Sequence, residues 1–283
     1  MPLVPSSFQY TPTVTGQIIA EAVKGACQGK KADNSLGQTV WKTVCEKLYD
    51  DYKNMLKTAI MNYVMAAQCQ WQPGPPSAIT FPPPVLDPFT ALAQASGPLI
   101  DSQVKSNCQG KKPEQCGAVI WEKVVDQIFK DLVTVLKDAV ATMANQGVSN
   151  VPPGVIAPIH VGTVSPVPAT LQIPFASPKM KTELESFFNA GKAKSLGSSL
   201  DSEIKGECRS MDSKEQQKQQ AGKIWQKLID KLKQEINDNV PKAIKNFLGG
   251  TQNFAITSGD PGTNPAGIPP TLPTTVGLLG TIL

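Results

Sequence analysis

One apolar register is written three times in this chain, and it dictates most of what the chain can become. Take Trp41, Trp121 and Trp225 as anchors and count forward. At +3 stand Val44, Val124 and Leu228, and at +7 Leu48, Ile128 and Leu232. At +11 come Tyr52, Leu132 and Ile236, and at +15 Leu56, Leu136 and Val240. Ala59, Ala139 and Ala243 occupy +18, and Tyr63, Met143 and Phe247 close the series at +22. Steps of three and four residues place all of these on one side of an α-helix. The intervening Lys, Glu, Asp, Gln and Asn form a solvated side. Each segment predicts a helix of about 30 residues, on the order of 45 Å long.

A shorter helix is expected before each long one. Thr15 can cap the first, which runs from Gly16 to about Cys27 with Ile18, Ile19, Ala22, Val23 and Ala26 at helical spacing. Leu99, Ile100 and Val104 play this part in the second copy, and Leu200 and Ile204 in the third. Cys27, Cys108 and Cys208 hold the same place in each copy, and the run Cys27-Gln28-Gly29-Lys30-Lys31 recurs unchanged from Cys108 to Lys112. A short and a long helix joined this way make an αα-hairpin. From Cys to Trp the spacing is 14, 13 and 17 residues. The surplus in the third copy falls in the polar run Asp212–Gln220, read as an extension of the long helix at its start. Pro241 should kink that helix.

The expected fold is therefore all-α: three tandem αα-hairpin repeats joined by proline-rich connectors. An extended arm covers residues 1–14 and carries Phe8 and Tyr10. Repeats at 15–69, 88–146 and 179–248 are separated by connectors at 70–87 and 147–178, with a tail at 249–283. Many of the 25 prolines lie in these connecting blocks, which have β-branched residues but few charges. That profile predicts polyproline or short edge strands laid on a protein surface, not a solvated linker. Additional short helices are expected near Pro88–Ala95 and Lys179–Ala190, the latter capped by Ser177-Pro178. The arm should stay loose unless something binds it.

No catalytic set can be assembled from these residues. The one histidine, His160, sits in a proline-rich loop, and a Ser/His/Asp arrangement cannot be completed without it. Neither GxxxxGK[ST] nor GxGxxG occurs. Acidic pairs such as Asp50-Asp51 read as helix surface. None of the six cysteines forms a CxxC pair, so zinc is not expected, and no other cofactor is implied. The cysteines of the repeats read as small half-buried residues. Cys108 and Cys116 could close a short loop as a disulfide, but a cytosolic origin argues against it. The net charge of +4 has both signs interleaved, as in Glu46-Lys47, Glu122-Lys123 and Lys231-Leu232-Lys233, which does not favour nucleic acid. Met1-Pro2-Leu3-Val4-Pro5 lacks the basic and apolar regions of a secretory signal, and no stretch has the roughly 18 apolar residues of a membrane helix. The expected compartment is the cytosol or a particle assembled there.

One hairpin cannot bury its stripe alone. Three could pack around a pseudo-threefold axis, or each could dock separately on a symmetric partner at the end of its connector. The Gly-x-x-x-Trp of Gly37–Trp41 and Gly117–Trp121, with the Pro/Gly/Thr-rich tail from Gly259 to Pro269, resembles small structural proteins of tailed-bacteriophage virions. The third copy departs from that pattern, with Gly222 three residues before Trp225. The resemblance implies a capsid, neck, tail or baseplate component of a virion assembled in the host cytoplasm. Its partners would be other virion structural proteins, with no small-molecule substrate and no membrane. The competing reading is a helical binding module in which the Trp stripe encloses an apolar ligand or a partner helix.

Overall fold

The computed structural model describes residues 8–27, 34–71, 76–110, 113–151, 167–173, 175–207, 214–249, 255–256 and 280–282. Seven helices and six short strands occur among them. In chain order they are α1 (Gly16–Cys27), α2 (Asn34–Val64), β1 (Gln68–Trp71), β2 (Ser77–Thr80), α3 (Pro88–Cys108), α4 (Pro113–Asn145), β3 (Val148–Val151), β4 (Val167–Gln172), α5 (Ala176–Phe187), α6 (Ala190–Glu207), α7 (Lys214–Gly249), β5 (Ala255–Ile256) and β6 (Gly280–Ile282).

The chain is mostly helical. The three long helices α2, α4 and α7 carry the three Trp registers, and the residues counted from +3 to +22 in each are buried in one continuous core. Each fully buried Leu, Ile or Phe among them contributes roughly 1.5–3 kcal/mol. The helices therefore owe their order chiefly to this shared stripe, as expected where packing outweighs propensity.

Each shorter helix packs most extensively on a long helix other than the one that follows it. α3 lies along α2, α6 along α4 and α1 along α7, with lesser contacts of α1 to α2, α3 to α4 and α6 to α7. The α1 pairing joins the beginning of the chain to its last helix. Thr15 caps α1 as the sequence predicts, its Oγ1 accepting the Ile18 N–H at 3.3 Å.

Two helix boundaries differ from expectation. The short helix near Pro88 does not stand apart but is the first half of α3, which continues through Pro98. The third-copy helix does stand apart as α5. It is not capped by Ser177, however, because its N-cap is Phe175, in the left-handed region at φ 57°. The Ser177 hydroxyl instead donates to Asp138 Oδ1 on α4 at 2.5 Å. The break between α5 and α6 falls at Asn189, whose Oδ1 accepts the Lys192 N–H at 3.1 Å and caps α6. α7 runs uninterrupted past Pro241.

The connectors depart most from an all-α fold, because they pair into a six-stranded sheet in the order β5-β4-β3-β2-β1-β6. Each connecting block supplies two strands, and every pairing is antiparallel. β1 and β3 follow the ends of α2 and α4 almost directly, and each junction is tied alike. The Ile79 N–H reaches the Ala67 carbonyl at 3.3 Å, and the Leu171 N–H reaches the Gly147 carbonyl at 2.7 Å. Cys69, Ile79, Leu171 and Ile282 turn toward the core. The tail strands β5 and β6 form the two edges, with β6 lying on β1 through Cys69↔Ile282 and Gln70↔Thr281.

Residues 8–14 of the arm are docked on their own chain rather than loose, and residues 1–7 lie outside the described residues. Phe8, Tyr10 and Val14 are buried. Asn237 on α7 grips the Tyr10 main chain at both polar groups, Oδ1 accepting the N–H at 2.7 Å and Nδ2 donating to the carbonyl at 2.9 Å.

Candidate functional site

Two places gather the residues that the repeats hold in common: the Trp end of the long helices, and the seams where the shorter helices lie. At the first, Trp41 and Trp121 both stand edge-to-face against Trp225, with ring centroids 5.9 and 6.1 Å apart. Indoles in this geometry attract one another through their quadrupoles. Trp121 and Trp225 are buried and Trp41 is partly so. The rings pack on one another instead of standing around a cavity, which disfavours an enclosed apolar ligand there.

At the seams, three glycines bring main chains into contact. A Cβ at Gly97 would lie 2.6 Å from both N and Cα of Lys42, and one at Gly197 would lie 2.6 Å from Cα of Glu122. One at Gly16 would lie 2.5 Å from N of Gln226 and would also collide with the Gly222 carbonyl. Real Cβ contacts are not made at such distances, so the helices approach this closely only because those side chains are absent. Lys42, Glu122 and Gln226 are each the residue after the anchoring Trp. The Gln226 side chain also accepts the Gly16 N–H at 3.0 Å, satisfying an amide that α1 cannot satisfy itself.

The Gly-x-x-x-Trp spacing has a physical origin in the same seams. Asp101 on α3 sits over Gly37, its Oδ1 2.6 Å from where a Cβ would be, and Asp201 on α6 sits likewise over Gly117. Both aspartates are buried, and each pairs with a lysine one turn on: Lys105 at 2.8 Å and Lys205 at 2.7 Å. They face the first turns of α2 and α4, where the helix dipole favours a negative charge. In the third copy the positions that correspond in sequence to Asp101 and Gly37 hold Ala20 and Ala221. Gly222, one place later, lies instead where α1 crosses, with Gln17 4.0 Å from the position of its missing Cβ.

A buried carboxylate stands ten residues after each Trp: Asp51, Asp131 and Glu235. Asp51 is not the helix surface that its sequence context implies. It accepts the Tyr10 hydroxyl at 3.0 Å, the Thr13 N–H at 2.9 Å and the Thr13 hydroxyl, and so fastens the arm. Asp131 accepts the Tyr49 hydroxyl at 2.6 Å, Gln127 Nε2 at 2.9 Å and the Ser96 hydroxyl, tying α4 to α2 and α3. Burial pushes the Asp131 carboxyl above its ordinary value, with the three donors pulling the other way. Burial likewise raises the Tyr10 and Tyr49 hydroxyls, so both stay protonated donors. Glu235 meets Asn239 Nδ2 at 2.8 Å and Lys192 Nζ, from α6, at 3.2 Å. These groups are oriented toward neighbouring helices, and the arrangement is one of joints between elements.

The remaining sequence candidates fall in several places. Cys27 and Cys108 end α1 and α3 and are half-buried, whereas Cys208 and His160 lie outside the described residues. No disulfide forms among the described cysteines, and Cys116 Sγ approaches the Cys108 carbonyl at 4.0 Å. Among the described residues no group of His, Cys, Asp and Glu could hold a metal ion, and no helix is long and apolar enough to cross a membrane. The seam glycines and the +10 carboxylates were the features that sequence reasoning missed. A register signal existed for the former, since Gly16, Gly97 and Gly197 all stand eleven residues before the repeated cysteine. Comparison of the chain with family models, curated proteins and solved structures returned no match.

Proposed function

We propose that this chain is a non-enzymatic structural component of a large symmetric assembly, in which three αα-hairpin repeats form a closed pseudo-threefold body. One observation carries the reading. The contact that Gly97 makes beside Trp41 is repeated by Gly197 beside Trp121 and by Gly16 beside Trp225, so the third contact returns the series to its start. A cycle of three equivalent joints is the geometry of a homotrimer, here written in one polypeptide. The sheet supports the same reading, because its six strands come two from each connecting block and its edges are the two tail strands. A body of this kind suits a threefold or sixfold position, and the bundle accounts for the shared stripe better than three separate tethers do.

The assembly is a tailed-bacteriophage virion, where the chain's partners are other structural proteins of the capsid, neck, tail or baseplate. The sequence resemblance is the ground for this part. The test is quantitative: particles purified by density gradient from producing cells are digested, and the copies of this chain per particle are counted by mass spectrometry. A fixed copy number matching a threefold or sixfold position is the expected result. Particles free of the chain would overturn the proposal.

A further inference from the structure

The three seams are alike in contact but not in connection. α2 and α3 are consecutive helices, and α4 and α6 are separated only by β3, β4 and α5, so the chain itself holds each pair together. No such link crosses the third seam, where α1 meets α7 and the partners of the Gly16–Gln226 hydrogen bond stand 210 residues apart. Both ends of the chain take part in closing it. The arm and α1 lie against both α7 and α2: the Tyr10 main chain meets Asn237 and the Gly16 amide meets Gln226 on α7, while Tyr10 and Thr13 bond Asp51 and Phe8 stands against Tyr63 on α2. At the sheet end, β6 lies on β1 and buries Ile282. The clasp is reciprocal, since the first repeat lends its short helix to the third and the third lends its last strand to the first. It is also the least extensive of the three helix seams. In α1 only Gly16 and Ile19 are buried, against six buried residues in α3.

From this asymmetry we infer that the α1–α7 seam is an interface between copies of the chain: residues 8–27 of one copy seat on α7 and the adjoining face of α2 of a second. The occupant is fixed by what the seam already fits. A neighbour's arm and α1 bring the same Tyr10 main chain to Asn237, the same Gly16 amide to Gln226 and the same bare glycine to the Gly222 carbonyl. Every contact of the closed form is then available between molecules at no cost in new complementarity, which is the condition for exchange of an identical element between protomers. Because the donating and receiving surfaces differ, the contact is head-to-tail. Reciprocal exchange between two copies closes a twofold dimer, and one-way donation from copy to copy gives rings or open chains. The inference rests on the closed three-joint body proposed above, but not on the identity of the assembly.

The experiment uses full-length chains carrying Gln17→Cys, Gly222→Cys or both. The Gln17 Cα lies 4.0 Å from the Gly222 Cβ position, close enough to make the pair a candidate for a disulfide. Chains with the two single substitutions, one population isotopically labelled, are mixed and oxidised, and the 17–222 linked peptide is identified by mass spectrometry. The expected result is a link joining labelled to unlabelled chains that accumulates with time and concentration, and in-chain closure of the double variant. In-chain closure with no link between chains would overturn exchange while leaving the closed body intact. Failure of both would overturn the closed body and exchange with it. A third population carrying Glu185→Cys, exposed on α5, measures random collision. Linkage of the Gln17→Cys chain to the Glu185→Cys chain at an equal rate would also overturn the inference.

Discussion

Replacing Gly197 by alanine tests the close approach of α6 to α4 most directly. The new methyl would stand 2.6 Å from Glu122 Cα and 3.0 Å from the Trp121 carbonyl carbon. Carbon atoms prefer about 3.5–4.0 Å, so the helices must part by roughly 1 Å or the backbone must bend. The obstacle is main chain, which cannot swing aside as a long side chain could. Overpacking of this kind costs about 1–3 kcal/mol, partly offset by up to ~1 kcal/mol of helix propensity gained over glycine. The expected net loss is about 1–2 kcal/mol, or a Tm lower by roughly 2–6 °C. Gly206, in the same helix, has nothing within 4 Å of its Cβ position. Gly206→Ala should therefore gain stability, by up to ~1 kcal/mol. Thermal and urea unfolding followed by circular dichroism compare the two. If Gly197→Ala were as stable as Gly206→Ala, the reasoning about the seams would be refuted.

Burial without a partner and burial with one make opposite predictions for the tyrosines. The Tyr52 and Tyr63 hydroxyls are buried with no hydrogen-bond partner, so Tyr52→Phe and Tyr63→Phe should be neutral or stabilising by about 1 kcal/mol in urea titrations. Tyr49→Phe should cost about 1–3 kcal/mol, because it leaves Asp131 short of a donor. For Asp131 the carboxyl is raised by burial, so the folded chain holds this proton more tightly than the unfolded one. Its contribution to stability is then full below the unfolded value, about 3.9, and is lost as pH rises through the folded value. Asp131→Asn should flatten that part of the stability–pH curve, and an unchanged slope would contradict the assignment. Burial pushes the Cys45 and Cys69 thiols up to about 12. Both should resist iodoacetamide in the native state at mildly alkaline pH and react on unfolding, while half-buried Cys27 is alkylated first. Peptide mapping of the alkylated sites reads this order.

The parts legible in the sequence were those set by local periodicity. The positions from Trp41 to Tyr63 lie three and four residues apart, so one helix face is fixed without knowledge of what covers it. Thr15 was legible as a cap for a similar reason, because its partner is three residues away. The strands were less legible. They are two to six residues long, sit among prolines, and pair with segments far along the chain, as Cys69 does with Ile282. The sequence profile could anticipate edge strands but not their order. Asp51 was misread because an acid beside another acid looks solvated. Its burial is explained only by Tyr10 and Thr13, about 40 residues upstream. At Ser177 the expected cap was outcompeted by Asp138, a partner that no local rule contains. The Gly-x-x-x-Trp motif was visible, whereas its cause was not. The aspartates that sit over Gly37 and Gly117 come from the shorter helix of the next copy, so the motif records a neighbour.

The position of α1 also bears on how the molecule is made. Gly16 leaves the ribosome long before Gln226, its partner 210 residues downstream. At synthesis rates of about 5–20 residues per second, that interval is roughly 10–40 s. During it, the Gly16 amide and the Tyr10 main chain lack Gln226 and Asn237, although Asp51, Tyr52 and Tyr63 of α2 have already been made, and neighbouring nascent chains on one messenger offer the nearest substitute for α7.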